Sequence, residues 1–443
     1  MLKSLTVRNV GPFQNVEFRL DPRLNVITGD NGLGKSLLLD IAFWAECGLW
    51  PRMRATPADR VNKKAIIEWK FLGNDGKDAK RSAYYRPEVE LWSRQDGRRA
   101  IRRPRSPVTL YAMVDGGFAV FDQARAADIA HEEDEDFRTR RASLGNGYYV
   151  LQSDEVFDGL KGGDGYVCNG LIRDWPDWQY RLKSRFAALS KALRVLSSDI
   201  GEVIKPGRPR RVSNKDSRDI PWLEMPYGGI PITQASAAVR RILGLAYMLV
   251  WAWNEHIDAC RLTGTPPTKE LLLLFDEVEC HLHPKWQRVV LPALMQTIGE
   301  LTRMKRPQIV AATHSPLVLA SLEPVFSEPE DQLLLLELNG KKGVEVRREP
   351  FVRRSRADIW LMSDMFGLKT PTSAPAERAI GKARRLLRQD GKPAASAVKR
   401  LSSELRGVLS DTDPLLARVD ALGTARSKRA SKSRKAASRR AAR

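Results

Sequence analysis

Gly29-Asp30-Asn31-Gly32-Leu33-Gly34-Lys35-Ser36 satisfies G-x-x-x-x-G-K-[ST] at every fixed position. The apolar run Leu24–Ile27 before it reads as a strand, and Leu37–Phe43 after it opens a helix, the context this pattern requires. Glycines let backbone N–H groups turn inward around phosphates, and the helix N-terminus adds its positive dipole end. Lys35 can reach β- and γ-phosphates, and the Ser36 hydroxyl can sit on Mg²⁺. Gly29, Asp30, Asn31, Gly32, Leu33, Gly34, Lys35, Ser36 and Leu37 are therefore the expected cradle of a nucleoside triphosphate, ATP with Mg²⁺. A glycine-rich turn opening an ordinary helix is the blander reading, and the flanking strand and helix tell against it.

Leu271-Leu272-Leu273-Leu274-Phe275-Asp276-Glu277 reads as a buried strand ending in two carboxylates. Asp276 can hold Mg²⁺ through water, as the second half of a phosphate-loop site requires. Glu277 is placed to polarise an attacking water. One strand later, Gln308–Thr313 runs into Thr313-His314-Ser315-Pro316, where His314 can hydrogen-bond a γ-phosphate. Lys35, Glu277 and His314 are the candidate catalytic residues.

The chain has 443 residues, more than one hydrophobic core usually supports. Its 42% hydrophobic and 29% charged content describes a globular protein. No stretch reaches the ~18 apolar residues that span a bilayer, so the expected location is the cytoplasm, with no membrane partner. Four cysteines, Cys47, Cys168, Cys260 and Cys280, lie far apart without metal-ligand spacing. The net charge is +21, and nine basic residues without an acidic one fall between Thr424 and Arg443. That tail cannot bury a core and is expected to be disordered. The rest of the chain is basic as well, which favours nucleic acid as a partner through its phosphates. A coding bias toward arginine with a solubilising tail is the other reading.

Along the chain, 1–150 reads as an ATPase lobe carrying the phosphate loop. The period-two stretches Ala65–Leu72, Ala83–Trp92, Val108–Val114 and Phe118–Phe121 suggest a small antiparallel sheet beside it. Residues 151–262 read as a helical lobe, with Leu182, Phe186, Leu189, Leu193 and Leu196 on one helix face and Gly201–Pro226 as a loop. Residues 263–350 hold the second half of the core, with a helix expected over Pro284–Leu301. Residues 351–423 read as a helical appendage, and 424–443 as the basic tail.

Gly29–Ser36, Leu271–Glu277, Val278–Pro284 and Thr313–Pro316, with the opening Leu2–Phe13, together resemble the ABC-type ATPase heads of RecF, SMC and OLD-like proteins. The resemblance covers residues 1 to about 325. It implies an α/β phosphate-loop NTPase fold of ABC-ATPase type, with an antiparallel β subdomain, a helical lobe and a helical appendage. It also implies that Glu277 is the catalytic carboxylate, His314 the switch histidine, and Cys280–His283 the segment that meets a second subunit. Gln152 is the candidate for the glutamine that senses Mg²⁺ and the γ-phosphate. Gln123 competes for that role, and a plain surface glutamine at 152 is an equal reading.

The signature segment departs from the family pattern. Ala235-Ser236-Ala237-Ala238-Val239-Arg240-Arg241 stands where serine is usually followed by glycines and a polar residue. Ser236 and a helix N-terminus survive, so a γ-phosphate bound in trans, in a homodimer, stays feasible. The lost glycines suggest slow or partner-stimulated hydrolysis, or a nucleotide-dependent scaffold with little turnover. Less than 240 residues separate the phosphate loop from Asp276, which excludes a long coiled coil. Asp411-Thr412-Asp413 lacks the apolar strand that a metal-dependent nuclease domain would place before it, so no built-in nuclease is expected. Asp358–Leu368 and Ala376–Ile380 resemble the tail of bacterial anti-phage ATPases that work with a separately encoded effector such as a nuclease. Local packing of a helix pair is the competing reading. Phage defence and DNA repair are the expected settings.

Overall fold

The computed structural model describes residues 1–59, 64–73, 77–94, 106–126, 147–162, 165–197, 203–302, 307–340, 343–388 and 394–422. The acidic stretch His131–Asp136, which reads from its sequence as a solvated break, and the basic tail lie outside them. The chain divides into two compact units, Met1–Ala357 and Asp358–Arg443.

The first unit is built on an eight-stranded sheet. Its order is Val344–Glu349, Asp331–Leu338, Leu24–Gly29, Gln308–Ala312, Leu271–Phe275, Val108–Ala112, Phe118–Phe121 and Tyr148–Leu151. The five strands from Asp331–Leu338 to Val108–Ala112 are parallel, and the outer ones antiparallel. Leu24–Gly29, Leu271–Phe275 and Gln308–Ala312 are buried along their whole lengths. Strands covered on both faces need such continuous apolar runs. Ligands of open parallel sheets bind at the carboxyl ends of the strands, and here those ends carry Gly29, Asp276 and Thr313.

A five-stranded antiparallel sheet, ordered Phe13–Arg19, Leu2–Val10, Ile66–Leu72, Asp78–Arg86 and Leu91–Arg94, forms a second layer. Helix Lys35–Cys47 shares one core with both sheets, through Leu39, Phe43 and Trp44 among Val7, Phe13, Trp69 and Leu274. Its stop is local: Gly48 adopts φ 81° and returns its N–H to Trp44 O at 2.7 Å, a glycine cap that other residues adopt at a cost. The Gln308 amide staples the two sheets, accepting from Leu2 N at 3.1 Å and donating to Leu2 O at 2.8 Å.

Four sequence expectations change. Val108–Ala112 and Phe118–Phe121 belong to the main sheet and not to the small one. All nine of their residues are buried, so the alternation that suggested a half-exposed strand does not operate there. Ala83–Trp92 is two strands split by the Pro87–Glu90 turn, with Glu90 at φ 52°. Gly201–Pro226 is not plain loop: Trp222–Met225 pairs with Gly228–Pro231, and Lys205–Pro206 adds a third strand. Pro284–Leu301 is two helices, Pro284–Gln287 and Val290–Thr302.

The helical lobe includes Leu171–Tyr180, Lys183–Ser197 and the 27-residue helix Ala237–Thr263, which buries residues on nearly every side. In the second unit, helices Ala374–Arg388 and Ala395–Arg406 share a core of Ala379, Ala383, Val398, Leu401, Leu405, Leu416 and Val419. No helix among the described residues is long and apolar enough to cross a membrane.

Candidate active site

The phosphate loop is shaped by what presses on it. Gly29 has φ 136°, and a Cβ there would lie 2.2 Å from Leu336 O on the neighbouring strand. Gly34 has φ 91°, and its Cβ would meet Phe13 and Pro12 at 2.7 and 2.8 Å. Both fixed glycines are thus demanded by close approach as well as by positive φ. Lys35 is 4% exposed, and its ammonium donates to Gly29 O at 3.0 Å and Asp30 O at 2.9 Å, inside the loop. Burial pulls its pKa below the usual lysine range, against the raising effect of Glu277, Asp276, Glu279 and Asp30. Asp30, Asn31 and Gly32 are exposed, whereas Leu33 packs into the core and Leu37 at its edge. The cradle fits a polyphosphate: backbone N–H groups at a helix start, a buried cation, and an exposed rim.

The sheet brings the second half alongside. Asp276 N donates to Ala112 O at 2.9 Å and Thr313 N to Ile27 O at 3.0 Å, so both segments leave their strands in register with the loop. Ser36 Oγ donates to Asp276 Oδ1 at 3.0 Å across 240 residues of sequence. Asp276 is fully buried. Ser36 and Asp276 are the residues that would hold Mg²⁺, and their donor set of hydroxyl and carboxylate oxygens suits that hard cation.

Glu277 follows with φ 47°, and His281 has φ 63°. Two non-glycine residues in the left-handed region within five positions store backbone strain, a feature that clusters at functional sites. The turn is pinned by Cys280 N to Glu277 O and Leu282 N to Glu279 O, both 2.9 Å. His314 Nε2 lies 3.2 Å from Glu277 Oε1, at ion-pair distance but without hydrogen-bond alignment. Its backbone is fixed by Glu279, which accepts from His314 N and, at 2.6 Å, from Thr313 Oγ1. Burial pushes the Glu279 carboxyl above its usual pKa, partly offset by those hydrogen bonds. In the Cys280–His283 segment, His281 and His283 are exposed, and His283 Nδ1 accepts from Lys285 N at 3.3 Å as the cap of the next helix.

Lys35, Ser36, Asp276, Glu277 and His314 are therefore gathered at one end of the sheet. Gln152 and Ser236 are not joined to them by any hydrogen bond among the described residues. Gln152 is exposed and follows an edge strand three places from Leu271–Phe275, about 14 Å away at the usual strand spacing. It does sit at the right end of the sheet, since Leu151 pairs with Phe118. Gln123 sits at the opposite end, accepting from Ser106 N before the strand begins. Ser236 is the N-cap of Ala237–Thr263, and its hydroxyl accepts from Val239 N at 3.3 Å.

Sequence reading missed two arginines. Arg52 lies behind Asp276 and touches it. Arg241, on the signature helix, is 6% exposed, and none of its three guanidinium nitrogens has a hydrogen-bond partner among the described residues. It stacks 5.3 Å from the Phe275 ring, and burial lowers its pKa. Arg52 belongs to no linear motif and Arg241 only closes the Ala235–Arg241 segment, so the fold alone reveals what each one touches.

Comparison with known proteins follows the same lines. Residues 4–147 match a family described as an AAA domain. Residues 211–320 match a second, described as "AAA domain, putative AbiEii toxin, Type IV TA system". The segments that carry the phosphate loop and the Asp276–His314 residues are thus each similar to an AAA domain. The chain is 39% identical over 51 residues to a "Retron Vc95 probable ATPase" of Vibrio cholerae serotype O1 biovar El Tor, covering 12% of this chain and 9% of that one. It is 30% identical over 95 residues to a "Retron Ec83 probable ATPase" of Escherichia coli, covering 21% and 14%. The matches thus span only a small part of both relatives. Among solved structures, an SMC head domain from Thermotoga maritima aligns over 79% of this chain and 99% of its own, at 12% identity and TM-score 0.38. A structure of the recombination mediator protein RecF aligns over 79% and 98%, at 13% identity and TM-score 0.36.

Proposed function

We propose that this head binds MgATP, closes into a homodimer with two nucleotides between the subunits, and hydrolyses ATP to control DNA or a separately encoded effector. One observation carries the reading: the Ser36 hydroxyl and the buried Asp276 carboxylate meet at 3.0 Å beside Lys35 and the Glu277–His314 pair. Mg²⁺ bound there would neutralise phosphate charge as it develops. Lys35 would leave the Gly29 and Asp30 carbonyls for the phosphate oxygens. Glu277 Oε1 would accept a hydrogen bond from the attacking water and orient it. His314, fixed through its backbone to Glu279, would hold Glu277 on one side and a γ-phosphate oxygen on the other.

The opposite wall would come from Ser236 and the helix behind it in the second subunit, so ATP favours the closed pair by touching both halves. The net charge of +21 supports nucleic acid as a partner, and the two retron ATPase relatives support a role in phage defence. A cytoplasmic protein fits these partners.

A second reading, a nucleotide-gated scaffold with little turnover, is favoured by the signature segment. There Ser236 spends its hydroxyl on its own helix, and Ala237-Ala238 replace glycines. Steady-state hydrolysis and ATP-dependent mass, measured for wild type and Glu277→Gln, test the choice. Loss of roughly 10²- to 10⁴-fold in turnover, with the ATP-bound dimer accumulating, supports the enzyme. Equal inactivity of both proteins with dimers still forming on ATP supports the scaffold. ATP-independent monomers in both would overturn the sandwich.

A further inference from the structure

Arg52 lies just past the phosphate-loop helix, where the Gly48 cap turns the chain back. Its guanidinium reaches three separate elements. Nε donates to Asp40 Oδ1, on the phosphate-loop helix, at 3.1 Å. Nη2 donates to the phenol oxygen of Tyr111, on the Val108–Ala112 strand, at 2.5 Å. The same nitrogen donates to Asp276 Oδ2 at 3.1 Å. Asp276 and Tyr111 are fully buried and Asp40 nearly so.

The consequence for Asp276 is specific. Oδ1 takes the Ser36 hydroxyl and Oδ2 takes Arg52, so both carboxylate oxygens are held and the plane of the group is fixed. A buried carboxylate has no water to orient it, and a single hydrogen bond to Ser36 leaves rotation about the side chain free. The second contact removes that freedom. The planar guanidinium holds Nε and Nη2 at a fixed spacing, so one group meets acceptors on three elements in a set geometry, whereas a lysine ammonium presents its donors from a single freely rotating point.

We propose that Arg52 is a positioning residue for the Mg²⁺ site, aiming the Asp276 carboxylate at Ser36 before nucleotide arrives. The assignment rests on the MgATP reading above, and adds to it the group that sets how strongly nucleotide binding depends on the metal. Groups that orient metal-binding carboxylates from behind typically control 10- to 100-fold in metal affinity. The competing role is a structural pin joining the phosphate-loop helix to the sheet, which would hold the fold together without regard to the metal.

The test is binding of a fluorescent ATP analogue, mant-ATP, to the full chain, with Mg²⁺ titrated from a chelated start and melting temperature recorded in parallel. For Arg52→Lys the Mg²⁺ concentration giving half the metal effect is expected to rise about tenfold. Binding in excess EDTA is expected to stay within about twofold of wild type, since the variant keeps its positive charge. Tyr111→Phe, which leaves Arg52 and Asp40 in place, is expected to move the midpoint the same way by about two- to threefold. An unmoved midpoint overturns the assignment. So does a parallel fall of EDTA binding, Mg²⁺ binding and melting temperature, the mark of a structural pin. A wild type whose binding ignores Mg²⁺ removes the MgATP reading and this assignment with it, whereas a responsive wild type matched by Arg52→Lys removes the assignment alone.

Discussion

The two arginines beside the Asp276 segment divide the site into a finished wall and an unfinished one. Arg52, on the phosphate-loop side, is 29% exposed at its side chain and bonds Asp40, Tyr111 and Asp276. Arg241, on the signature side, is buried deeper and bonds nothing among the described residues. A buried polar group without a partner is rare in a folded protein, and a buried charge more so. The phosphate-loop side therefore has its polar groups paired within the chain, while the Ser236–Arg241 side leaves a buried guanidinium without a hydrogen bond among the described residues. The same contrast runs through the hydroxyls: Ser36 is turned toward Asp276, and Ser236 toward its own helix.

The largest expected effect tests the finished wall. Lys35→Ala removes the buried cation from the loop, and ATP affinity measured by calorimetry should fall roughly 30- to 5,000-fold, the range for losing one member of a buried charge pair. A loss below about threefold would mean that the loop is not preorganised around Lys35.

The unfinished wall gives an effect of opposite sign. Arg241→Met keeps the volume and removes the unpaired charge, so melting of the nucleotide-free protein should shift upward, by about 1–3 kcal/mol of stability. A lower melting temperature would show that Arg241 is satisfied in solution and would erase the contrast. The smallest effect sharpens it. Ser236→Ala should cost about 1 kcal/mol through the lost helix cap, measured by denaturant unfolding, and should leave ATP affinity of the monomer unchanged. A drop in monomer affinity would place Ser236 on the same wall as Lys35.

The finished wall is also the legible one, with a gap. Gly29–Ser36, Asp276, Glu277 and His314 could be read because the chemistry fixes their spacing along one strand–loop–helix unit or at strand ends. Arg52 could not be, because its partners Tyr111 and Asp276 are 59 and 224 residues away and no short-range pattern records a tertiary fork. The strand Val108–Ala112 was legible as a strand but not as a member of the main sheet, since a short stretch with a Thr between apolar residues is compatible with either layer. The hairpin Trp222–Pro231 was hidden by its Gly-Pro composition, which reads as loop although Met225 and Gly228 close a tight turn. Gln152 follows a strand whose end lies at the same end of the sheet as Asp276 but three strands aside, a placement that order in the sequence does not give.

The left-handed backbone at Glu277 reaches beyond this molecule, into how lineages of such heads would change. A glutamate at φ 47° is kept there against a conformational preference that glycine or asparagine would meet at less cost. On the proposed mechanism, selection for turnover keeps the acid in place. A descendant freed from hydrolysis would gain stability by drifting to glycine or asparagine at this one position, while its phosphate loop stayed intact. A head with a complete nucleotide cradle and a glycine after the strand aspartate would then read as a protein that still senses ATP and no longer consumes it.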